Sequence, residues 1–487
     1  MRAWSPVAMT PNPCSPLLAS PLLAASVSRR TLLAGAAAVT VAGCASAGGL
    51  TVPADGAEPT ATAATTTDGT TSGEPTASST APGGAVTGAA LWDHTLVHDL
   101  TLEFDQTEYD AAIQAYVDSE DKVWIEATVT IDGAAYQRAG LRLKGNSSLF
   151  GLRNQAGSGQ AGGPGGGPGG TADSSAPETL PWLIRLDKYV DGQAHQGVHD
   201  LVIRSNNTTT AINEAVALEL LGLAGLATQQ AVHARLTANG RGPVLRLLIE
   251  HPVDEWDAEN FTDAGVLYKA ESGGDWSYRG DDHASYEDVF DQETRTDEDL
   301  LDPLIGFLDF LNNSTDSQFE GDLANQLEVD AFATYLAFET LVDNFDDIDG
   351  PGNNSYLRWS EATNRMTVVA WDHNLAFGTV NGGGGGGGGP AGGGAPAGGG
   401  GPAGGGGPAG GGRPGGTANP LTTRWATVAE FTAMVQAASS RLQADLYDSG
   451  AGQQVVDRIT TLLAADAADL VDAATVASDA ARVTAYF

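Results

Sequence analysis

Between Asn381 and Gly416 the chain consists of Gly, Pro and Ala apart from Asn381 and Arg413, so this stretch offers no large apolar side chain to a core. A tract like this inside a folding chain is tolerated as a surface loop, because loop-closure entropy grows slowly with length. Its prolines are irregularly spaced, so collagen's strict every-third glycine is absent. A second Gly-rich insert spans Gln155–Asp173. Residues 45–90 are rich in Ala, Thr, Ser, Gly and Pro and read as a disordered, flexible stalk. The folded part is therefore expected within 91–487, with 155–173 and 381–416 set aside.

Residues 1–44 are also expected to lie outside the fold. Arg29 and Arg30 precede a short apolar run that ends at Val41-Ala42-Gly43-Cys44. The run is too short to span a membrane as a mature helix and reads as an export signal. The paired arginines resemble a twin-arginine signal. The small residues before Cys44 resemble a bacterial lipobox, whose Cys becomes the lipidated first residue. The other reading is an ordinary signal peptide with an incidental Cys. The lipobox implies a lipoprotein on the extracellular face of the bacterial cell membrane, attached only through its lipid. The chain has only two Cys, and Cys14 would leave with the signal. No disulfide then remains, so stability must come from a packed core. The formal net charge of −37 disfavours nucleic-acid binding, which needs Lys and Arg to replace phosphate counterions.

The remaining sequence reads as α+β. "KVWIEATVTIDGAAYQRAGLRLKG" is two strand-like runs around Asp132-Gly133, a hairpin signal. "WLIRL" and "DLVIR" are short strands, and 213–223 is helical. A second hairpin turns at Asn239-Gly240, and "GVLYKA" is a further strand. Helices are expected near 298–311 and 328–342, strands over 355–359 and 365–371, and helices again over 427–446 and 453–474. The first half is thus strand-rich and the second more helical, and a cleft between them is the natural place for a site.

The densest chemistry lies in "DNFDDIDGPGNNSYL", Asp343 to Leu357, which has four acids within seven residues. An EF-hand with Gly350 at loop position 6 would put Phe345 at position 1 and Tyr356 at position 12, where oxygen ligands are required. That form of calcium site is excluded. Phosphoryl transfer needs a carboxylate near the attacking hydroxyl and oxygen ligands for a metal on the phosphates. Asp346, Asn354 and Asp372 occur in a suitable order, and the hairpin after Asn354 brings Asn354 and Asp372 to the same end. The competing reading is a solvated acidic loop, with Trp371 as core and Asp372 as a cap. The eight His form no zinc motif, and no Gly-x-Ser-x-Gly elbow or P-loop is present.

"GLRLKGNSS", "LLIEHPVDEWDAENF…GVLYK" and "NFDDIDGPGNNSYL…VVAWDHNLAFG" resemble, in order, motifs of the spore coat CotH kinase family. The resemblance implies an atypical protein-kinase-like bilobal fold, with a strand-rich N-terminal lobe and a more helical C-terminal lobe. It implies ATP with Mg²⁺ or Mn²⁺, and phosphorylation of protein Ser or Thr. Asp346 would be the catalytic base, with Asp347 as the fallback. Asn354 and Asp372 would hold metal, while Asn374 stands where many relatives have an acid. On the phosphate side, Lys144, Asn146 and Ser147 belong to a matching Lys-Gly-Asn-Ser-Ser element. Arg185 or Lys188 would take the role of a kinase strand Lys, with Glu214 orienting it. Glu250 and Lys269 would line the nucleotide pocket or form a salt bridge. The rival functions are AMP transfer, and a non-catalytic surface protein that binds a metal or an envelope partner. If Cys44 carries the anchor, Cys44→Ala should move the protein from the membrane pellet to the soluble fraction; continued sedimentation with membranes would contradict the lipobox.

Overall fold

The computed structural model describes residues 89–157, 172–351, 353–379 and 418–487. The export signal, Cys44, nearly all of the stalk, and most of both Gly-rich inserts lie outside the described residues.

Seven strands close into a barrel: β1 His98–Phe104, β2 Ile125–Ile131, β3 Ala134–Leu143, β4 Trp182–Arg185, β5 Asp200–Ile203, β6 Ala231–Ala238 and β7 Arg241–Glu250. Their order around the barrel is β1-β2-β3-β4-β5-β7-β6. Neighbours are antiparallel except β1 and β6, whose parallel pairing closes it. Alternation drives the wrap. In β2, Ile125, Ala127, Val129 and Ile131 are buried while Glu126, Thr128 and Thr130 between them are not. The β2–β3 turn puts Asp132 (φ +47°) and Gly133 (φ +85°) in the left-handed region. Such a tight hairpin turn favours Asp-Gly, because it requires positive φ at both central residues. Asn239 and Gly240 do the same between β6 and β7.

A second antiparallel sheet has the order β11-β10-β8-β9, from β8 Gly265–Ala270, β9 Phe290–Gln292, β10 Ser355–Ser360 and β11 Met366–Ala370. Among the described residues there are eleven α-helices. Helix Val329–Leu341 packs on β11 and on helix Ala429–Leu442. Phe332, Phe338, Tyr356, Trp425, Phe431 and Leu463 share one core. The chain on the two sides of the Gly-rich tract therefore packs together. Where one helix is expected over 453–474, two are present, Ala451–Asp466 and Ala473–Thr484. Asp472 caps the second, accepting from the backbone N–H of Ala474 and Thr475, which offers the chain a fresh helix start.

Arg358 on β10 is a buried structural cation. Its Nε donates to Asp257 Oδ1 at 2.7 Å, its Nη1 lies 3.3 Å from Asp263 Oδ2, and its guanidinium sits 4.0 Å from the Phe261 ring centre. Removing one partner of a buried ion pair leaves an uncompensated charge. Arg358→Ala is expected to lower unfolding free energy by about 3–5 kcal/mol, measured by denaturant titration.

Candidate active site

A cleft of about 390 Å³ opens beside the ends of β3, β5 and β11. That volume lies in the range of small-molecule sites. Lys144, Gly145, Asn146, Ser147 and Ser148 line one side, and Asp346, Asn354, Asp372 and Asn374 line the other.

The acidic side is shaped by its backbone. The Asp347 carbonyl accepts from the N–H of Gly350 at 3.0 Å and of Asn354 at 3.2 Å. The Asp347 carboxylate accepts from Asp349 N–H at 3.0 Å. A Cβ on Gly350 would come 2.4 Å from Asp346 Cα, so the turn has room only for glycine. Neighbouring elements anchor the loop: Tyr335 Oη accepts from Ile348 N–H at 3.1 Å, and Trp276 Nε1 donates to Asn353 Oδ1 at 3.1 Å. Asn354 Nδ2 then donates to Asp346 Oδ2 at 3.1 Å.

Asp372 follows β11 with φ +66° and ψ +62°, an uncommon conformation for a residue with a side chain. β10 and β11 pair Ser355 with Ala370, which sets Asn354 and Asp372 just beyond the same end of the hairpin. Buried Glu339 braces both acidic segments. Its Oε2 accepts from Asn344 Nδ2 at 2.9 Å and its Oε1 lies 3.1 Å from His373 Nε2. Burial, and then the Glu339 charge, push the Asp347 carboxyl well above the usual carboxylate range.

The opposite wall is cationic. Gly145 has φ +106°, and a Cβ there would come 2.3 Å from Ser148 Oγ. Asn146 Nδ2 donates to Ser272 Oγ at 2.6 Å. Lys144 Nζ lies 2.9 Å from His251 Nε2 and 5.6 Å from the centre of the Trp371 ring. Burial lowers the Lys144 ammonium to about 7, although Glu293 opposes the shift.

The cation that pairs with Glu214 is Arg204, just after β5. Arg204 Nε lies 2.8 Å from Glu214 Oε1, and its Nη2 donates to Asp372 Oδ1. Arg185 stands opposite Asp200 in the β4–β5 register, and Asp200 captures it in a two-point ion pair. Glu214 therefore orients Arg204 rather than Arg185. Lys188 lies over the Trp124 ring at 5.2 Å, and Lys269 donates to Glu271. Glu250 accepts from Gln230 N–H at 3.1 Å. Arg185, Lys188, Glu250, Lys269 and Asp347 are not among the residues that line the cleft. Arg204, His251 and Glu339 are additions that the sequence reading did not reach. "DLVIR" does display Arg204 at a strand end ten residues before Glu214, the available clue.

A family model described as CotH kinase protein matches residues 141–467, most of the chain. The chain belongs to the CotH kinase protein family. Membership makes this a kinase-like protein and supports a kinase-like fold. The matched span of this CotH protein contains Lys144, Asp346, Asn354 and Asp372. No curated protein matches the chain.

Kinase-like chemistry implies ATP and a divalent cation, and the donor set suits both. Among the described residues no three His, Cys, Asp or Glu side chains converge as a metal-binding group. Magnesium is commonly held by one or two carboxylates together with substrate phosphates, and Asp372 and Asn354, which line the same cleft, are residue types that suit that mode of binding. The close-approach glycine at 145 and Lys144 suit phosphate.

The raised Asp347 carboxyl has a pH consequence. The folded state holds its proton at pH values where the unfolded chain has lost it, so this group's contribution falls as pH rises from the ordinary carboxylate range through its raised folded value. Asp347→Asn should therefore raise the melting temperature at pH 8 by roughly a few degrees, a gain that disappears near pH 4. Equal effects at both pH values would contradict the assignment.

Proposed function

We propose that this chain is an exported, lipid-anchored protein kinase that transfers the γ-phosphoryl of ATP to Ser or Thr of envelope or surface proteins. In this reading residues 1–44 are the signal with its lipobox, 45–90 are the stalk, and 91–487 are the kinase-like domain. The barrel and the second sheet with its helices serve as two lobes, and the lipid on Cys44 holds the protein at the extracellular face of the membrane. Among the described residues no helix is long and apolar enough to cross a membrane.

The observation that carries the reading is the convergence of Asp346, Asn354, Asp372, Lys144 and the Gly145 turn on one cleft. Phosphoryl transfer demands positioning and charge neutralisation more than covalent help from the protein. Asp346 is the base. Its carboxylate takes the proton of the acceptor hydroxyl as that oxygen bonds to the γ-phosphorus and the bond to the β–γ bridging oxygen breaks, releasing ADP. Asn354 holds Asp346 in place through its Nδ2, which leaves its amide oxygen as the atom able to ligate a cation. A divalent cation bound by Asp372 and Asn354 would neutralise phosphate charge. Lys144, together with backbone N–H groups of the Gly145–Ser148 turn, would hold the phosphates.

The test is transfer of label from ATP to protein. Asp346→Asn should lower transfer of γ-label at least about 100-fold, the scale of a lost general base. Asp372→Asn should abolish it, with both variants still folded. Transfer of α-label instead would identify an AMP transferase. Transfer that survives both substitutions would overturn the assignment.

A further inference from the structure

We propose that Arg185, Asp200 and His251 form a positioning relay that presents the Lys144 amino group to the cleft. The inference rests on the reading of that cleft as a nucleotide site, and it assigns work to buried charges that the phosphoryl-transfer chemistry leaves unused.

The sheet register builds the relay. Arg185 on β4 stands opposite Asp200 on β5, and Leu201 stands opposite Glu250 on β7, so His251 falls beside Asp200. Arg185 Nε donates to Asp200 Oδ1 at 2.8 Å and Nη2 donates to Oδ2 at 2.6 Å. His251 Nδ1 lies 3.3 Å from Asp200 Oδ2, and His251 Nε2 lies 2.9 Å from Lys144 Nζ. Asp200 and His251 are only 4% and 3% exposed.

The chemistry gives the chain a direction. Burial pushes the Asp200 carboxyl up, but hydrogen bonds from Arg185 and His251 outweigh it and hold Asp200 ionised. Burial, and then the Lys144 charge, lower His251, which favours the neutral ring. A neutral ring that gives its Nδ1–H to a carboxylate carries its lone pair on Nε2. That lone pair accepts from Lys144 and fixes where the amine stands. Asp200 and His251 are buried, and such groups are costly unless paired; Arg185, whose side chain is 37% exposed, supplies the charge that pairs with Asp200.

Other groups also face Lys144. Glu293 just beyond β9 favours its charged form, while Lys269 on β8, Arg142 on β3 and Lys122 ahead of β2 oppose it, and the Trp371 ring lies beneath. With the Lys144 ammonium lowered to about 7, part of the Lys144 population is the free amine near neutral pH. An arriving phosphate would draw the proton in. Arg185 thus reaches the site at third hand, through Asp200 and His251.

The chain has four lysines, Lys122, Lys144, Lys188 and Lys269, which makes direct measurement practical. The full-length protein would be reductively methylated with ¹³C and its dimethyl-lysine resonances followed by NMR across pH, with Lys144→Arg identifying the Lys144 signal. The relay gives the ammonium an acceptor and so opposes the fall that burial imposes on Lys144. It predicts a further fall of about one pH unit in His251→Phe, which removes the acceptor, and in Asp200→Asn, which removes the charge. His251→Gln keeps an oxygen acceptor and should retain most of the parent midpoint. Should Asp200→Asn fail to fold, the two His251 variants carry the test. A Lys144 midpoint unmoved in His251→Phe would overturn the relay. Repeating the titration with metal-free ADP separates the two readings: a raised Lys144 midpoint supports the nucleotide site. No change would count against that site while leaving the relay as measured.

Discussion

One buried cation organises the cleft. Arg204 leaves the end of β5, pairs with Glu214 on the helix Ile212–Leu223, and donates to Asp372 beyond β11. Arg204 and Glu214 are almost fully buried, so neither charge can be left alone without a large desolvation cost. The three segments that carry them are thereby held in one geometry. Two cations approach the Trp371 ring, with Lys144 5.6 Å and Arg204 5.7 Å from its centre. Glu339 repeats the principle on the acidic side, where it holds Asn344 and His373 at once. Positions next to Asp346 and Asp372 are therefore fixed from outside the cleft, as a constellation held to ångström tolerances requires.

This arrangement also answers an electrostatic difficulty. A chain with a formal net charge of −37 repels anions at long range, yet a nucleotide is a polyanion. Salt screens charges beyond roughly 10 Å, so the local field of the cleft governs binding. Lys144 and Arg204 line the cleft together with Asp346 and Asp372, whose charge a divalent cation would offset. Lys122, Arg142 and Lys269 lie near enough to act on Lys144. The acidity of the remaining surface then bears on solubility rather than on the site.

Local chemistry was legible in the sequence, and long-range pairing was not. Asp132-Gly133 and Asn239-Gly240 announce hairpins because the turn they form demands positive φ at both residues. The same logic placed Asn354 and Asp372 together, since a hairpin's ends follow from its register. Gly350 could be read as a turn residue, although only the structure shows how closely it approaches Asp346. Barrel closure through parallel β1 and β6 was beyond reach, because it joins strands more than a hundred residues apart. The partner of Glu214 was misplaced for a related reason. Arg185 and Arg204 both sit at strand ends, and only the pairing of β4 with β5 reveals that Asp200 takes Arg185. Lys269 and Glu250 carry plausible charges on plausible strands, and their neighbours Glu271 and Gln230 decide where they point.

The central claim is that this cleft takes a nucleotide with a divalent cation. The most direct measurement is the melting temperature of the folded protein with ATP and Mg²⁺ together, compared with each alone. A ligand specific to the native state adds RT ln(1 + [L]/Kd), about 2.7 kcal/mol at a hundredfold excess over Kd. The account predicts a clear rise with millimolar ATP and Mg²⁺ together. An unchanged melting temperature at millimolar ATP with Mg²⁺ would contradict it.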